Sequence, residues 1–204
     1  MVRLRWVLGV LTAAVIAGVP LGYYRAGYVH ARRLRVVADG KLYRCGQLPA
    51  AGFREAFGRY GIRTVVNIRE EDRDPLLPAD WLSQWLGRKG TATEAEVCRA
   101  AGVKYVQIDG GVIDCPADGR PAAVDDFLRV CDDPANWPVL IHCKAGRDRT
   151  GLMAAIWRME YEGRTKAEAV AELKANGFAT FAATDGNAYL DRLILRYRPG
   201  VRNP

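Results

Sequence analysis

A cysteine closing an apolar run, with an arginine six positions later at the front of a helical run, prescribes a strand–loop–helix unit. Residues 142–151 spell His-Cys-Lys-Ala-Gly-Arg-Asp-Arg-Thr-Gly. The apolar stretch 137–141 precedes Cys143, and the helix-like stretch 150–162 follows Arg149. A helix beginning there points the positive end of its dipole at the loop. The amides of Lys144 to Arg149 can curl into a concave nest that binds an anion. Such surroundings lower a cysteine from about 8.5 to roughly 3.5–7.5 and so generate the thiolate. The same nest would next hold the three non-bridging oxygens of a phosphate. Arg149 offers a planar fork for two of those oxygens and for the spread charge of a transition state. Gly146 permits a tight turn, Gly151 lets the first helical turn pack closely, and the Thr150 hydroxyl can donate to the sulfur as it leaves phosphorus.

His142, Cys143, Gly146, Arg149, Thr150 and Gly151 together resemble the Cys-x5-Arg-Ser/Thr pattern of the protein tyrosine phosphatase superfamily. Segment 39–47, Asp-Gly-Lys-Leu-Tyr-Arg-Cys-Gly-Gln, resembles the opening hairpin of its small bacterial dual-specificity-like members, with Cys45 where serine is common. Segment 61–69, Gly-Ile-Arg-Thr-Val-Val-Asn-Ile-Arg, is similar to their next strand. The likeness runs from about residue 36 to residue 198. It implies an α/β cysteine-phosphatase fold, with a short, mostly parallel sheet flanked by helices. It also implies hydrolysis of phosphate monoesters through a phospho-cysteine on Cys143, with Arg149 and Thr150 assisting. Lys144, Ala145, Gly146, Arg147, Asp148 and Arg149 would surround the phosphate, with no metal and no organic cofactor. A rhodanese-type sulfur-transfer loop also sets a cysteine near an arginine, but it is shorter and lacks the His-Cys opening.

The family draws a general acid from a mobile loop upstream of the cysteine. The Gly- and Pro-punctuated segment 109–118 offers Asp109, Asp114 and Asp118, and a loop is where a gating acid belongs. Asp109 directly follows the apolar run 103–108, and Asp118 beside Gly119 suits a turn. Asp114 is therefore preferred, with the other two left open. Asp148, inside the phosphate loop, is a weaker candidate. Lys144 and Arg147 add charge that favours a multiply phosphorylated ligand, and Asp148 offsets part of it. Protein phosphotyrosine or dual-specificity activity is the first expectation. Inositol-phosphate or phosphoinositide hydrolysis is the second, and a non-catalytic phospho-binding module the third. An intact Cys143 and Arg149 argue against the third, because a pure binder needs no nucleophile.

The net charge of +7 is misleading for the whole chain of 204 residues. Residues 1–35 hold six arginines and no acid, leaving +1 for the rest. A near-neutral body argues against nucleic acid as a partner. Segment 6–24 carries no charge, and at about 1.5 Å per residue it nears the thickness of a bilayer core. Arg3 and Arg5 precede it, Arg25, Arg32, Arg33 and Arg35 follow, and Trp6, Tyr23, Tyr24 and Tyr28 suit the interface. Residues 1–35 are thus expected to be a single-pass membrane anchor and basic linker, and residues 36–204 the phosphatase domain. A cleaved secretory signal and a helix buried in the domain are the alternatives. The flanking charges barely choose a side; exported relatives tilt the body outside the cytoplasmic membrane.

Five cysteines without a Cys-x2-Cys pair, and only two histidines, speak against a zinc site. A low-pKa Cys143 would be prone to oxidation, and Cys45 or Cys115 is a candidate resolving partner. Strands are predicted at 63–68, 103–108 and 139–142. Helices are predicted at 50–60, 80–87, 93–101, 121–131, 150–161, 165–176 and 187–197, the sixth with a Thr165/Glu168 capping box. Stretch 70–89, acidic and then bearing Trp81 and Trp85, is expected to be an amphipathic cover for the sheet or an insertion beside the pocket or the membrane.

Overall fold

In chain order the elements begin with α1 (Val2–Tyr24), β1 (Arg35–Ala38), β2 (Leu42–Gly46), α2 (Ala50–Tyr60) and β3 (Thr64–Asn67). Next come β4 (Leu76–Leu77), α3 (Trp81–Trp85), β5 (Ala92–Thr93), α4 (Glu94–Ala100) and β6 (Lys104–Gln107). The last are α5 (Ala122–Asp132), β7 (Val139–Cys143), α6 (Asp148–Tyr161) and α7 (Lys166–Ala175). This computed structural model describes residues 2–24, 34–69, 74–109, 121–178 and 193–201. Asp114, Asp118 and Cys115 lie outside the described residues, as do Arg25, Tyr28, Arg32, Arg33 and most of the expected helix at 187–197.

Five strands form one sheet in the order β1-β2-β7-β3-β6. Only the β1–β2 pair is antiparallel; β2, β7, β3 and β6 run parallel. Every residue of β2, β3 and β7 is buried, so none of them alternates between buried and solvent-facing side chains. Each buried Val, Leu or Ile contributes about 1.5–3 kcal/mol. One face of the sheet packs on α5, α6 and α7 through Val66, Ile141, Phe127, Leu152, Met153 and Ile156. The other packs on α2 and α4 through Tyr43, Val65, Leu140, Phe53, Val97 and Cys98. The parallel strands all end at one edge, where ligands of open α/β sheets bind.

Strand expectations agree with β3, β6 and β7 to within a residue, and helix 50–60 coincides with α2. The Thr165/Glu168 capping box forms at α7. Stretch 70–89 is different from the amphipathic cover expected. Asp80 caps α3 by accepting from the Ser83 amide at 2.7 Å, and Gly87 (φ 66°) lies just past the C-cap Leu86. The chain then pairs β5 with β4 in a two-stranded ribbon. Gly90 makes that ribbon possible: a Cβ there would sit 2.3 Å from the Leu76 backbone. Trp81 lies on Gly52 of α2, whereas Trp85 is 49% exposed. Helix 80–87 shortens to α3, whose Trp81 packs against the α2–α4 core and whose Gln84 donates to Gln47 O at 3.2 Å.

Helix α1 is apolar enough to cross a membrane, and residues 5–22 are exposed along their length. That burial pattern overturns the alternative of a core helix within the domain.

Candidate active site

β7 delivers Cys143 to the carboxyl edge of the sheet, and α6 begins five residues later at Asp148. Cys143 is 2% exposed. The Gly146 amide donates to its Sγ at 3.3 Å. Three carbonyls of the loop are held from outside. Lys144 O accepts from the Gln47 amide at 3.1 Å. Gly146 O and Arg147 O accept from Arg44 Nη2 at 2.9 and 3.3 Å. In a trans peptide the N–H points opposite to the C=O. Holding those carbonyls outward therefore turns the amides of Ala145, Arg147 and Asp148 to the other side, where the Gly146 amide meets the sulfur. The nest is built from the β2 side, with Arg44 as its brace.

Glycine is required where the loop meets β2. Gly146 has φ 65°, and a Cβ there would stand 2.4 Å from Gly46 N. A Cβ on Gly46 would in turn meet Ala145 backbone at 3.0 Å. Gly151 faces Leu173 of α7 and Arg44, with a Cβ falling 2.6 Å from Leu173 Cδ1. The resemblance anticipated Gly146 and Gly151; the role of Gly46 emerges only from the packing.

The expected site residues separate into groups. Cys143 and the Gly146 amide come together as anticipated. Arg149, on the first turn of α6, reaches Ile68 O at the end of β3 at 3.4 Å. Lys144 and Ala145 are exposed. Arg147 does not project as an unpaired cation: its Nε and Nη2 grip the Asp148 carboxylate at 2.9 Å each. The hydrogen bond to Asp148, above all, raises the Arg147 pKa. The Thr150 hydroxyl does not reach the sulfur; it is buried with no hydrogen-bond partner among the described residues. α6 starts two residues earlier than expected, so Thr150 already lies within its first turn. Asp109 is exposed just beyond β6.

Cys45 fails as a resolving partner for a geometric reason. It pairs in register with His142, one residue before the nucleophile position. Successive strand residues face opposite sides, so Cys45 lies in the α2–α4 core and Cys143 in the α5–α7 core. Burial, then the charges of Glu94 and Cys143, push the Cys45 thiol well up.

Sequence reasoning missed a buried polar chain behind Cys143. His142 Nε2 lies 2.5 Å from Glu94 Oε1, both side chains being wholly buried. Glu94 Oε2 accepts from Gln47 Nε2 at 2.8 Å, and Gln47 Oε1 accepts from Arg69 Nη1 at 2.8 Å. Gln47 sits in the hairpin pattern and His142 and Arg69 in the others, so three of the four members were in view without roles. Glu94 had no signal, since an acid at the start of a helix is ordinary.

Residues 30–188 match the family model described as a DSP-PTPase phosphatase fused to NAD+ kinase. The dual specificity protein phosphatase TpbA of Pseudomonas aeruginosa (strain UCBPP-PA14) is 49% identical over 138 residues, 67% of this chain and 51% of that protein. The chain thus spans about half the length of this curated relative. Among solved structures, P. aeruginosa TpbA superposes with a TM-score of 0.55 at 24% identity, over 81% of this chain and 84% of that one. The core catalytic domain of the PP-IP phosphatase SIW14 from S. cerevisiae, in complex with citrate, superposes with a TM-score of 0.53 at 19% identity, over 83% and 88%.

Proposed function

The chain belongs to the DSP-PTPase family of small bacterial dual-specificity-like cysteine phosphatases, and on that premise we propose that it hydrolyses phosphate monoesters through a phospho-cysteine on Cys143. The observation that carries this reading is the Gly146 amide on Cys143 Sγ at 3.3 Å, within a loop whose carbonyls are drawn outward. Sγ attacks phosphorus, and the bond from phosphorus to the leaving oxygen breaks. An aspartic acid gives that oxygen its proton. The loop amides of 144–149 and the Arg149 fork take the non-bridging oxygens. Water then attacks phosphorus, the aspartate takes a proton from it, and the S–P bond breaks with Thr150 donating to the departing thiolate after its hydroxyl turns. Asp114 is our choice for the acid over Asp109 and Asp118, because in the sequence it is the most central of the three between β6 and α5.

A phosphorylated protein, on tyrosine first, is the substrate this site favours. The bidentate Arg147–Asp148 pair supports that choice, because it cancels the Arg147 share of the loop charge that a multiply phosphorylated inositol would use. The relative with 49% identity is itself named a protein phosphatase. Residues 1–35 serve as anchor and linker, with α1 in the cytoplasmic membrane and the domain of residues 36–204 outside it.

Steady-state hydrolysis of phosphotyrosyl peptides and of inositol polyphosphates by the purified chain tests the substrate. Higher kcat/KM on the peptides supports the reading; higher kcat/KM on the inositol phosphates replaces it. An Asp114→Asn variant should slow esters with poor leaving groups far more than activated aryl phosphates. Equal rates on both would move the acid to another residue.

A further inference from the structure

Glu94 is a carboxylate with no water-facing surface, set at the start of α4, and two residues later Glu96 of the same helix is exposed. Burying a charge is costly unless donors meet it. Two donors are available: Gln47 Nε2 on Oε2 at 2.8 Å and His142 Nε2 on Oε1 at 2.5 Å. The first is an amide N–H. The second acts as a donor only if the ring carries its proton on Nε2. Among the described residues no other hydrogen bond to Nε2 is present. Phe53 of α2 meets the imidazole edge-on, with centroids 5.5 Å apart. On the opposite side of the ring, Nδ1 lies 3.4 Å from Cys143 O.

We infer that Glu94 is a positioning residue for Cys143: it fixes the Nε2 proton and the plane of the His142 ring, and through Gln47 ties that ring to Arg69. The inference rests on the phosphatase reading of Cys143. Its reach follows from connectivity. His142 immediately precedes Cys143 on β7, so the ring's orientation governs the peptide that aims the sulfur. Arg69 follows Ile68, whose carbonyl receives Arg149. Arg69 is also locked by its own amide on Asn67 Oδ1 at 2.9 Å and by its carbonyl on Gln107 Nε2 at 3.0 Å. Nucleophile and anion-binding arginine are thereby held to one another by a side-chain relay on the face of the sheet away from both. In register across the sheet, Cys45, His142, Asn67 and Gln107 form a polar row under this relay.

The relay has a direction, which makes it testable. Donor meets acceptor at each link from His142 to Glu94, Gln47 to Glu94, and Arg69 to Gln47. A Glu94→Gln change keeps an oxygen for His142 but presents an N–H to the Gln47 N–H. The paired change Glu94→Gln with Gln47→Glu restores a match at every link, now with the charge at position 47. With the full chain in detergent, kcat on p-nitrophenyl phosphate is expected to fall about 10–100-fold in Glu94→Ala, with KM changed less than about threefold. The rate of Cys143 alkylation by iodoacetamide, followed by mass spectrometry, should fall in parallel. Glu94→Gln should fall less, and the paired variant should recover most of the loss. Nitrogen-edited NMR should show a proton on Nε2 of His142, readily assigned because the chain has only 2 histidines.

A proton on Nδ1 with bare Nε2 would overturn the inference. So would a folded Glu94→Ala chain with unchanged kcat and alkylation rate, or a folded paired variant no better than Glu94→Gln. Alkylation and NMR do not need turnover. If the wild-type chain hydrolyses no phosphate ester while both still respond to Glu94, the phosphatase reading fails and the positioning role stands.

Discussion

Adjacent residues of one strand, Cys143 and His142, occupy two opposite kinds of environment. On the Cys143 face, the Gly146 amide donates to the sulfur, and the hydroxyl of Thr150 is buried without a partner among the described residues. On the His142 face, imidazole, carboxylate, amide and guanidinium engage one another in sequence. The first face holds polar groups ready for something that arrives. The second uses its polar groups up to hold the first in place. A preorganised site needs both, because donors converging on one point keep their aim only if the surrounding structure forbids them to turn elsewhere.

The comparison breaks most severely at the reactive side. Cys143→Ser should reduce turnover of phosphate monoesters by at least about a thousandfold while retaining affinity for inorganic phosphate. Retained turnover would show that the sulfur is not the nucleophile. Arg149→Ala should cost roughly a hundredfold or more in kcat/KM and should weaken inhibition by phosphate. Unchanged inhibition would place the anion elsewhere.

The scaffold side predicts stability effects. Gly146→Ala forces a Cβ into the Gly46 backbone at a positive φ, and about 2–4 kcal/mol should be lost in urea unfolding. A smaller loss would show that the loop can back away from β2. Arg44→Met leaves the carbonyls of Gly146 and Arg147 without this donor. About 1–3 kcal/mol of destabilisation is expected, with KM for phosphate esters rising as the loop amides lose their aim.

The smallest effect is an alkaline one. Burial, then the Glu94 and Asp74 charges, push Cys98 to about 12 from a thiol value of 9.0. The unfolded chain therefore ionises first. The stability this group lends is full below about pH 9 and is lost as pH rises toward about 12. Urea midpoints at about pH 8 and about pH 10 should differ less in Cys98→Val than in the native chain. An equal difference would assign the alkaline loss to other groups, Cys45 among them.

Much of this was written in the chain. Strands β3, β6 and β7 announce themselves through β-branched and aromatic residues, and the Thr165/Glu168 box marks its helix because capping is a local affair. Cys143, Gly146 and Arg149 are near neighbours, so their spacing alone places them around one loop. The Arg147–Asp148 pair was not legible, since sequence adjacency does not say whether two charges grip each other or face solvent. Nor was the ribbon at 76–93, whose β4–β5 pairing depends on a backbone contact at Gly90.

By itself the sequence determined a strand, a loop and a helix arranged around a thiol, because those interactions close within ten residues. Tertiary structure alone decided what holds that loop. Arg44 lies 102 positions from Gly146, and Glu94 lies 48 from His142. Such partners meet only when parallel strands bring their ends to one edge, and no local pattern encodes a meeting that the sheet's strand order creates.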